Sequence, residues 1–281
     1  MIRYPGSKDK IVRAIMARFP DALRLGGLFG REHIEYREPF FGSGAIGFRV
    51  MEHLSSSSSI WINDKDYGLR CLWGAVYGDP GQLIECVRSF SPSTEAFYRF
   101  RDEDDRGDID PVEAGFRKLV LHQTSFSGLG VRAGGPIGGR KQSSAYNVDC
   151  RWNAPRLCKD ITEKHRLMHR FSAVRITALD FEEMIVDAPK HSFIYADPPY
   201  LIKGPQLYKH SMTIDDHKRL ANCIRECATG WVVSYDDHPD IRALYSWAQI
   251  STVRLTYTTA VASENRRKNE EIIISKLRSA A

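Results

Sequence analysis

Phe193-Ile194-Tyr195-Ala196-Asp197-Pro198-Pro199-Tyr200 is an apolar run that stops at an acid, two prolines and a tyrosine. Its aromatic and β-branched residues favour a buried strand, and prolines lack the N–H groups of a strand ladder, so the strand should end near Asp197. Open α/β sheets place their ligands at the carboxyl ends of strands. Asp197, the Pro198 carbonyl and the Tyr200 ring therefore suit a flat substrate that carries an amino group. An ordinary strand with a proline-rich turn is the alternative.

A second strand, predicted from Ile34 to Arg37, runs into Glu38-Pro39-Phe40-Phe41-Gly42-Ser43-Gly44-Ala45-Ile46-Gly47 and a helix to about Leu54. The spacing G-x-G-x-x-G after a strand and before a helix is typical of nucleotide sites, where small residues let a ligand approach the backbone. The following strand ends at Asp64, about where an acid reaches the ribose of a bound nucleoside. Further upstream, Tyr4-Pro5-Gly6-Ser7-Lys8 precedes a predicted helix to Phe19 and suits an anionic or planar ligand.

The order of the patterns predicts one sheet with an insertion. Helical patterns fill 67–123, near 69–77, 83–89, 94–101 and 112–123, whereas strand patterns return after Arg170. Strands are predicted at 174–176, 231–234, 252–257 and 271–277, the last two as an antiparallel hairpin around the charged loop 263–269, and a helix from Thr213 to Ala228. We therefore expect an α/β fold in which 1–66 and 171–281 form the catalytic domain and 67–170 an inserted, mainly helical domain.

The inserted segment contains two stretches of opposite charge, an acidic one at 93–113 and a basic one at 117–170. From Arg117 to Arg170 there are eleven basic residues and three acids, whereas the whole chain has a net charge of +5. This concentration indicates a polyanionic partner, and nucleic acid is the default candidate. The glycine-rich stretch 127–153 supplies cations for phosphates and an amide for base edges. The candidate DNA-binding residues there are Arg132, Arg140, Lys141, Asn147 and Arg151. A disordered loop without function is the alternative.

The bulk properties exclude several classes of protein. The 281 residues, 42% of them hydrophobic and 27% charged, suit a globular protein with a sizeable core. No apolar run approaches the roughly 20 residues of a membrane span, and the N-terminus lacks the apolar core of a signal peptide, so a cytoplasmic location is expected. Six cysteines without a Cys-x-x-Cys pair indicate free thiols and no structural zinc, and we expect no metal.

Three motifs together resemble those of the Dam-like (alpha-group) DNA adenine N6-methyltransferases, over nearly the whole chain. They are Tyr4-Pro5-Gly6-Ser7-Lys8, Glu38-Pro39-Phe40-Phe41-Gly42-Ser43-Gly44 and Asp197-Pro198-Pro199-Tyr200. The resemblance implies a Rossmann-like methyltransferase sheet, mostly parallel, with S-adenosylmethionine as cofactor and 67–170 as the DNA-reading part. It implies cofactor contacts from Tyr4, Gly6, Lys8, Phe40, Phe41, Gly42 and Gly44, with Asp64 at the ribose and Asp180 and Phe181 at the adenine ring. The loop departs from the family's GATC-reading hairpin, so no target sequence is implied.

The chemistry of the opening stretch suits this resemblance. The lone pair of an adenine N6 amine is delocalised into the ring, so a methyltransferase must draw its N–H bonds out of plane. Asp197 and the Pro198 carbonyl are two suitable acceptors, with Pro199 stiffening the turn, and this catalysis by position and electrostatics needs no metal. The target adenine must flip out of the duplex, where Tyr200 can stack on it and Tyr208 can assist.

The implied partners are double-stranded DNA and a cognate restriction endonuclease, in a bacterial or phage-infected cell, with the enzyme a monomer or weak dimer. A nicotinamide-dependent oxidoreductase would use the glycines and Asp64 equally but leaves Asp197 to Tyr200 unexplained. Methylation of RNA or of a protein glutamine, or a DNA-binding module with a degenerate cofactor pocket, are further alternatives.

Overall fold

A single mixed sheet organises the molecule. The computed structural model describes residues 1–4, 8, 11–19, 33–104, 108–202, 204–254 and 270–276. In these residues seven strands pair in the order β3-β2-β1-β4-β5-β7-β6. Their bounds are Glu35–Glu38 (β1), Ser59–Asn63 (β2), Ala173–Thr177 (β3), Ser192–Ala196 (β4), Gly230–Asp236 (β5), Gln249–Arg254 (β6) and Glu270–Ser275 (β7). The first five pair in parallel, and β7 is antiparallel to both of its neighbours. The predicted sheet and the antiparallel pairing of its last two strands are confirmed, while the loop 263–269 lies outside the described residues.

The helices follow their caps and proline signals. They are Val12–Met16 (α1), Ala45–Met51 (α2), Tyr67–Gly78 (α3), Pro80–Ser89 (α4), Thr94–Asp102 (α5), Pro111–Thr124 (α6), Ala154–Met168 (α7), Phe181–Ile185 (α8), Gly204–Leu207 (α9), Ile214–Glu226 (α10) and Pro239–Leu244 (α11). The capping box predicted from Thr213 and Asp216 is present at the start of α10. Ser7, proposed as the cap of the first helix, lies outside the described residues.

Each face of the sheet buries its own core because alternate side chains of a strand point to opposite faces. One core joins Tyr36, Phe193, Tyr195, Val232 and Ile273 to α1, α2 and the helices of the inserted segment. The other joins Ile194, Ala196, Val233, Tyr235 and Ile272 to α8, α10 and α11. The strand register agrees, since Tyr195 pairs with Val232 and Val233 with Ile274.

The helices between 67 and 168 pack on the first of these cores. Trp73 of α3, Phe97 of α5 and Leu119 of α6 are fully buried in the same cluster as the β1 residue Tyr36. The following stretch, 125–153, holds two short 3₁₀ turns and an isolated bridge between Ser125 and Pro136. This part of the chain is thus continuous with the sheet's own core, and its separate DNA-reading role stays a prediction.

Two sequence expectations concern absent features. All six cysteines are free thiols, as expected. In the described residues, no helix has the length and apolarity needed to cross a bilayer.

Candidate active site

A cleft lies at the carboxyl ends of the central parallel strands. Of the residues singled out from the sequence, the cleft brings together Tyr4, Lys8, Phe40, Phe41, Gly42, Asp64, Asp180, Phe181, Asp197, Pro199 and Tyr208. Gly44, Pro198 and Tyr200 do not line it, and Gly6 lies outside the described residues. The three motifs thus converge on one site.

The carboxylate of Asp197 is held by one of its oxygens. β4 ends at Ala196, so Asp197 is the first residue beyond the strand, as predicted. Asp197 Oδ1 accepts from Lys8 Nζ at 2.7 Å and from Ser234 Oγ at 2.9 Å. Burial raises the pKa of Asp197, while Lys8 and Ser234 oppose that rise. Hydrogen bonds to the charged form keep a buried carboxylate ionised.

Lys8, which we expected against a cofactor, lies among acidic groups and is buried. Its ammonium contacts Asp197 and donates to Tyr200 Oη at 2.6 Å. Tyr200 Oη in turn donates to Glu271 Oε1 at 2.8 Å, and Lys8 Nζ lies 3.6 Å from Glu271 Oε2. Glu271 is the second residue of β7, so a strand far along the sequence balances the charge of the motif lysine.

Asp64 is fixed by backbone donors at the end of β2. Its Oδ2 accepts from the N–H of Gly42 at 2.8 Å, and its Oδ1 from that of Asp66 at 2.9 Å. Burial and the neighbouring Asp66 raise the pKa of Asp64 to about 7. The carboxylate of Asp64 therefore changes charge near neutral pH.

The glycines are required by packing within the protein. Gly42 has φ +49°, and a Cβ there would lie 2.9 Å from the Tyr4 ring. Gly44, with φ +71°, precedes α2, and a Cβ there would overlap the rings of Phe41 and Phe48. The sequence predicts that small residues here let a ligand approach the backbone. In the structure, the atoms nearest to a Cβ at Gly42 or Gly44 belong to aromatic side chains of the protein itself.

Arg219 of α10 lines the cleft beside Asp180. Its guanidinium forms two hydrogen bonds to Asp180, at 2.8 and 3.1 Å, and lies 4.4 Å from the centre of the Phe181 ring. Phe40 approaches the same ring, with centroids 5.7 Å apart. Burial works against the charge of Asp180, yet Arg219 holds the pKa of this carboxyl below its ordinary value. Two aromatic rings and an ionised carboxylate suit a flat heterocycle.

A buried ion-pair network holds the segment that carries Tyr208. Lys209 pairs with Asp104 at 2.5 Å, and Lys118 of α6 contacts both Asp104 (3.4 Å) and Asp66 (2.5 Å). The Tyr208 ring lies 5.7 Å from that of Tyr4 at the cleft. Lys118, which we had counted in the basic surface, is only 2% exposed and so is unavailable to a polyanion.

The DNA-binding candidates of the glycine-rich stretch do not line the cleft. Arg132, Arg140, Lys141, Asn147 and Arg151 are all exposed on the stretch 125–153. The guanidinium of Arg140 lies 5.0 Å from the ring centre of Tyr98 on α5. In the described parts of the chain, no group of three or more His, Cys, Asp or Glu residues could hold a metal ion.

Sequence reasoning missed three polar residues of the site: Ser234, Glu271 and Arg219. Each follows an ordinary strand or helix pattern, and each reaches the site through the order of strands or the packing of a helix. The one local signal was a serine within the apolar strand Trp231 to Tyr235, where a buried hydroxyl requires a partner.

Comparison with known proteins places the chain. Residues 4–259 match the model of the D12 class N6 adenine-specific DNA methyltransferases. Two type II methyltransferases are each 26% identical: M1.LlaDCHI of Lactococcus lactis subsp. cremoris, over 97% of this chain and 93% of its own length, and M.MjaIII of Methanocaldococcus jannaschii, over 80% and 78%. A SAM-dependent O-methyltransferase from Thermotoga maritima aligns with 100% of this chain and 68% of its own, at 12% identity and a TM-score of 0.38.

The family model spans all three motifs that meet at the cleft, from Tyr4 to beyond Tyr200. The chain therefore belongs to the D12 class of N6 adenine-specific DNA methyltransferases, enzymes whose methyl donor is S-adenosylmethionine.

Proposed function

We propose that the protein methylates N6 of an adenine that is flipped out of duplex DNA at a specific sequence. The observation that carries this proposal is Asp197, which lines the cleft beside its nucleoside-type groups and is held through Oδ1 by Lys8 and Ser234. No described residue hydrogen-bonds Oδ2. An acceptor oxygen is thus left for an amine that enters the cleft.

The groups that line the cleft suit the chemistry of S-adenosylmethionine. Phe40 and Phe181 offer rings to the adenine, and Asp180 offers an acceptor beside them. Asp64 offers a carboxylate to the ribose hydroxyls, and its own orientation is fixed by two backbone N–H groups. We propose these residues as the cofactor site, with Tyr4, Phe41 and the Gly42 backbone as walls.

When bound, the cofactor supplies a sulfonium methyl group. Asp197 Oδ2 accepts from the substrate amine, which turns the nitrogen lone pair out of the ring plane. The Pro198 carbonyl, whose residue does not line the cleft before the base enters, is proposed as the second acceptor in the complex with the base. The ionised Asp197 would also stabilise the positive charge that develops on N6 as the C–N bond forms and the bond between the methyl group and sulfur breaks, after which N6 loses one of its two protons. Stiffness at Pro198 and Pro199 keeps these acceptors in fixed directions, so the chain acts by position and charge.

Two tyrosines are proposed to contact the flipped base, in different ways. Tyr200 is 6% exposed, and its hydroxyl is tied to Lys8 and Glu271, so a base can stack on it only after local opening. Tyr208 already lines the cleft and approaches Tyr4. We therefore assign the first aromatic contact with the base to Tyr208, and a contact with Tyr200 only to a state in which the site has opened locally.

We propose that 67–170 reads the DNA, with the exposed cations of 132–151 on its phosphates and Asn147 on a base edge. Support comes from the charge of this segment and from its exposure. The type II names of the two relatives suggest a cognate restriction endonuclease, and we propose that this chain has one. Because we propose genomic DNA as its substrate, we propose that the protein acts in the cytoplasm. We also propose that it acts as a monomer or weak dimer.

The test is incubation with S-adenosylmethionine and unmethylated genomic DNA, followed by mass spectrometry of the nucleosides. We expect N6-methyladenine, in one sequence context when the product is sequenced with a methylation-sensitive method. Asp197→Ala should abolish it and leave cofactor binding nearly intact, whereas Asp215→Ala, an exposed aspartate on α10, should change neither. Absence of N6-methyladenine with the unaltered protein would refute the proposal.

A further inference from the structure

One face of the sheet carries a row of polar side chains beside Asp197. Ala196 pairs with Val233, so Ser234 is the next residue of β5 alongside Asp197. In the antiparallel pair of β5 and β7, Ser234 lies opposite Ile273 and Asp236 lies opposite Glu271. Glu271 is therefore two residues from the position opposite Ser234. Side chains two apart on a strand share a face. Tyr195, Asp197, Ser234 and Glu271 therefore face the same side, which is otherwise the apolar core of β1, β4 and β5.

The direction of each hydrogen bond in this row is determined. Asp197 can only accept when ionised, so the single hydroxyl proton of Ser234 lies on its 2.9 Å bond to Asp197 Oδ1. The 2.8 Å contact between Tyr195 and Ser234 must then be donated by Tyr195. Both hydroxyls are fully buried, in rigid strands. The result is a relay in which Tyr195 donates to Ser234 and Ser234 donates to Asp197.

We infer that Ser234, supported by Tyr195, is a positioning residue that fixes the rotation of the Asp197 carboxylate and so presents Oδ2 to the substrate amine. Lys8 alone cannot do this, because an ammonium is a point charge with three rotatable donors. A hydroxyl anchored on the adjacent strand defines a direction for Oδ1. This inference rests on the role that we propose for Asp197.

The relay also affects when Asp197 ionises. Titratable groups of the surrounding elements interact electrostatically with Asp197. They are Tyr4 and Lys8 from the N-terminal segment, Glu38 from β1, Tyr195 from β4, Tyr200 and Tyr208 from the stretch after β4, Tyr235 from β5 and Glu271 from β7. Lys8 and Ser234 are the groups that favour its charge, against burial. Loss of the Ser234 donor should raise the pKa of Asp197 further. The pH below which methyl transfer is lost should then be higher than in the unaltered protein.

The experiment measures the single-turnover rate of adenine methylation against pH, with enzyme in excess over unmethylated genomic DNA. Ser234→Ala should lower the plateau rate about tenfold and move the acid limb upward by roughly half to one pH unit. Tyr195→Phe removes only the first donor, so it should shift the limb in the same direction by less. Ser234→Thr retains a hydroxyl and should restore the limb.

The matched control is Ser192→Ala. Ser192 is buried on β4, and its hydroxyl has no hydrogen-bond partner in the described residues. A merely structural effect would lower the thermal stability of Ser234→Ala and leave its acid limb at the same pH as in Ser192→Ala, whose stability should change little because no hydrogen bond is lost. Cofactor affinity, measured by titration without DNA, should be unchanged in all of these variants.

The outcomes separate the two proposals. If Asp197→Ala remains active, the proposed role of Asp197 fails and the inference with it. If Asp197→Ala is inactive while Ser234→Ala has an unshifted acid limb, the positioning role alone is overturned. Should Ser234→Ala not fold, Tyr195→Phe decides the question: an upward shift of the limb supports the relay, and an unshifted limb overturns it.

Discussion

Replacing Lys118 with methionine should destabilise the protein strongly, although Lys118 is a lysine in a basic segment. It is 2% exposed and lies 2.5 Å from Asp66 and 3.4 Å from Asp104. Methionine fills similar space but leaves buried acid uncompensated, which costs about 3 to 5 kcal/mol. For a chain of this size each kcal/mol lowers the melting temperature by about 2 to 4 °C. We expect a fall of about 10 °C.

The matched control is Lys159→Met. Lys159 also lies on a helix beside a carboxylate, 3.8 Å from Glu163, but both side chains are exposed. Such a pair contributes about 0 to 1 kcal/mol, so the melting temperature should change by about 2 °C or less. A double variant of Lys118→Met with Asp66→Asn should recover much of the loss, because it removes the unpaired charge and keeps an amide oxygen as the cap of α3.

The assay is differential scanning calorimetry at neutral and acidic pH. Burial opposes the charge of Asp66, yet Lys118 holds the pKa of this carboxyl below its ordinary value. A lowered pKa adds stability above the unfolded value, and that stability is lost as pH falls through the folded value. The deficit of Lys118→Met should therefore shrink below about pH 4. Equal melting temperatures for Lys118→Met and Lys159→Met at neutral pH would refute the reasoning.

Three further predictions concern the cleft. Because the pKa of Asp64 is about 7, calorimetric titration should show cofactor affinity rising between about pH 6 and 8, and Asp64→Asn should bind more weakly without that rise; a flat profile for the unaltered protein would contradict this. Gly42→Ala should lower the free energy of unfolding in urea by about 1 to 2 kcal/mol, because the φ of Gly42 is +49° and a Cβ there would lie against the Tyr4 ring. Gly74→Ala, in a helix with open space around the added Cβ, should raise that free energy by about 0.5 to 1 kcal/mol. Equal effects of the two changes would count against the assigned geometry. Arg219→Met should weaken cofactor binding about tenfold through loss of the contacts that orient Asp180, and Arg242→Met, which removes a similar pair with Asp237 outside the cleft, should leave binding unchanged.

Most of the helices and strands could be predicted from local sequence signals. The helices expected at 94–101 and 112–123 are found at Thr94–Asp102 and Pro111–Thr124, because Ser93 and Asp110 cap them. Helix α7 was not predicted, since its basic start resembles the loop before it. Its cap is Asn153, whose side chain accepts from the Arg156 N–H. Pro155 lies in the first turn of α7, where proline is favourable because the N–H that it lacks would have no partner within the helix.

The site was only half predictable, for a physical reason. Asp197, Asp64 and the glycines lie in motifs whose spacing fixes their place at strand ends. Ser234 and Glu271 reach Asp197 through pairing between distant strands, and Glu271 does so because β7 enters the sheet between β5 and β6. Nothing local to 270–276 specifies that position. Lys8 was found, but its burial against acids depends on the same nonlocal pairing.

The position of β7 sets an order of events during synthesis on the ribosome. β6 is made before β7 and, among the described residues, pairs with the sheet through β7 alone, so 249–254 must wait for that partner until 270–275 has emerged. During that interval Lys8 and Asp197 already exist, and Glu271 does not. A nascent chain would therefore have its cleft residues while Tyr200 and Lys8 still lack their contacts with Glu271, so assembly of the active site should be among the last steps of its folding.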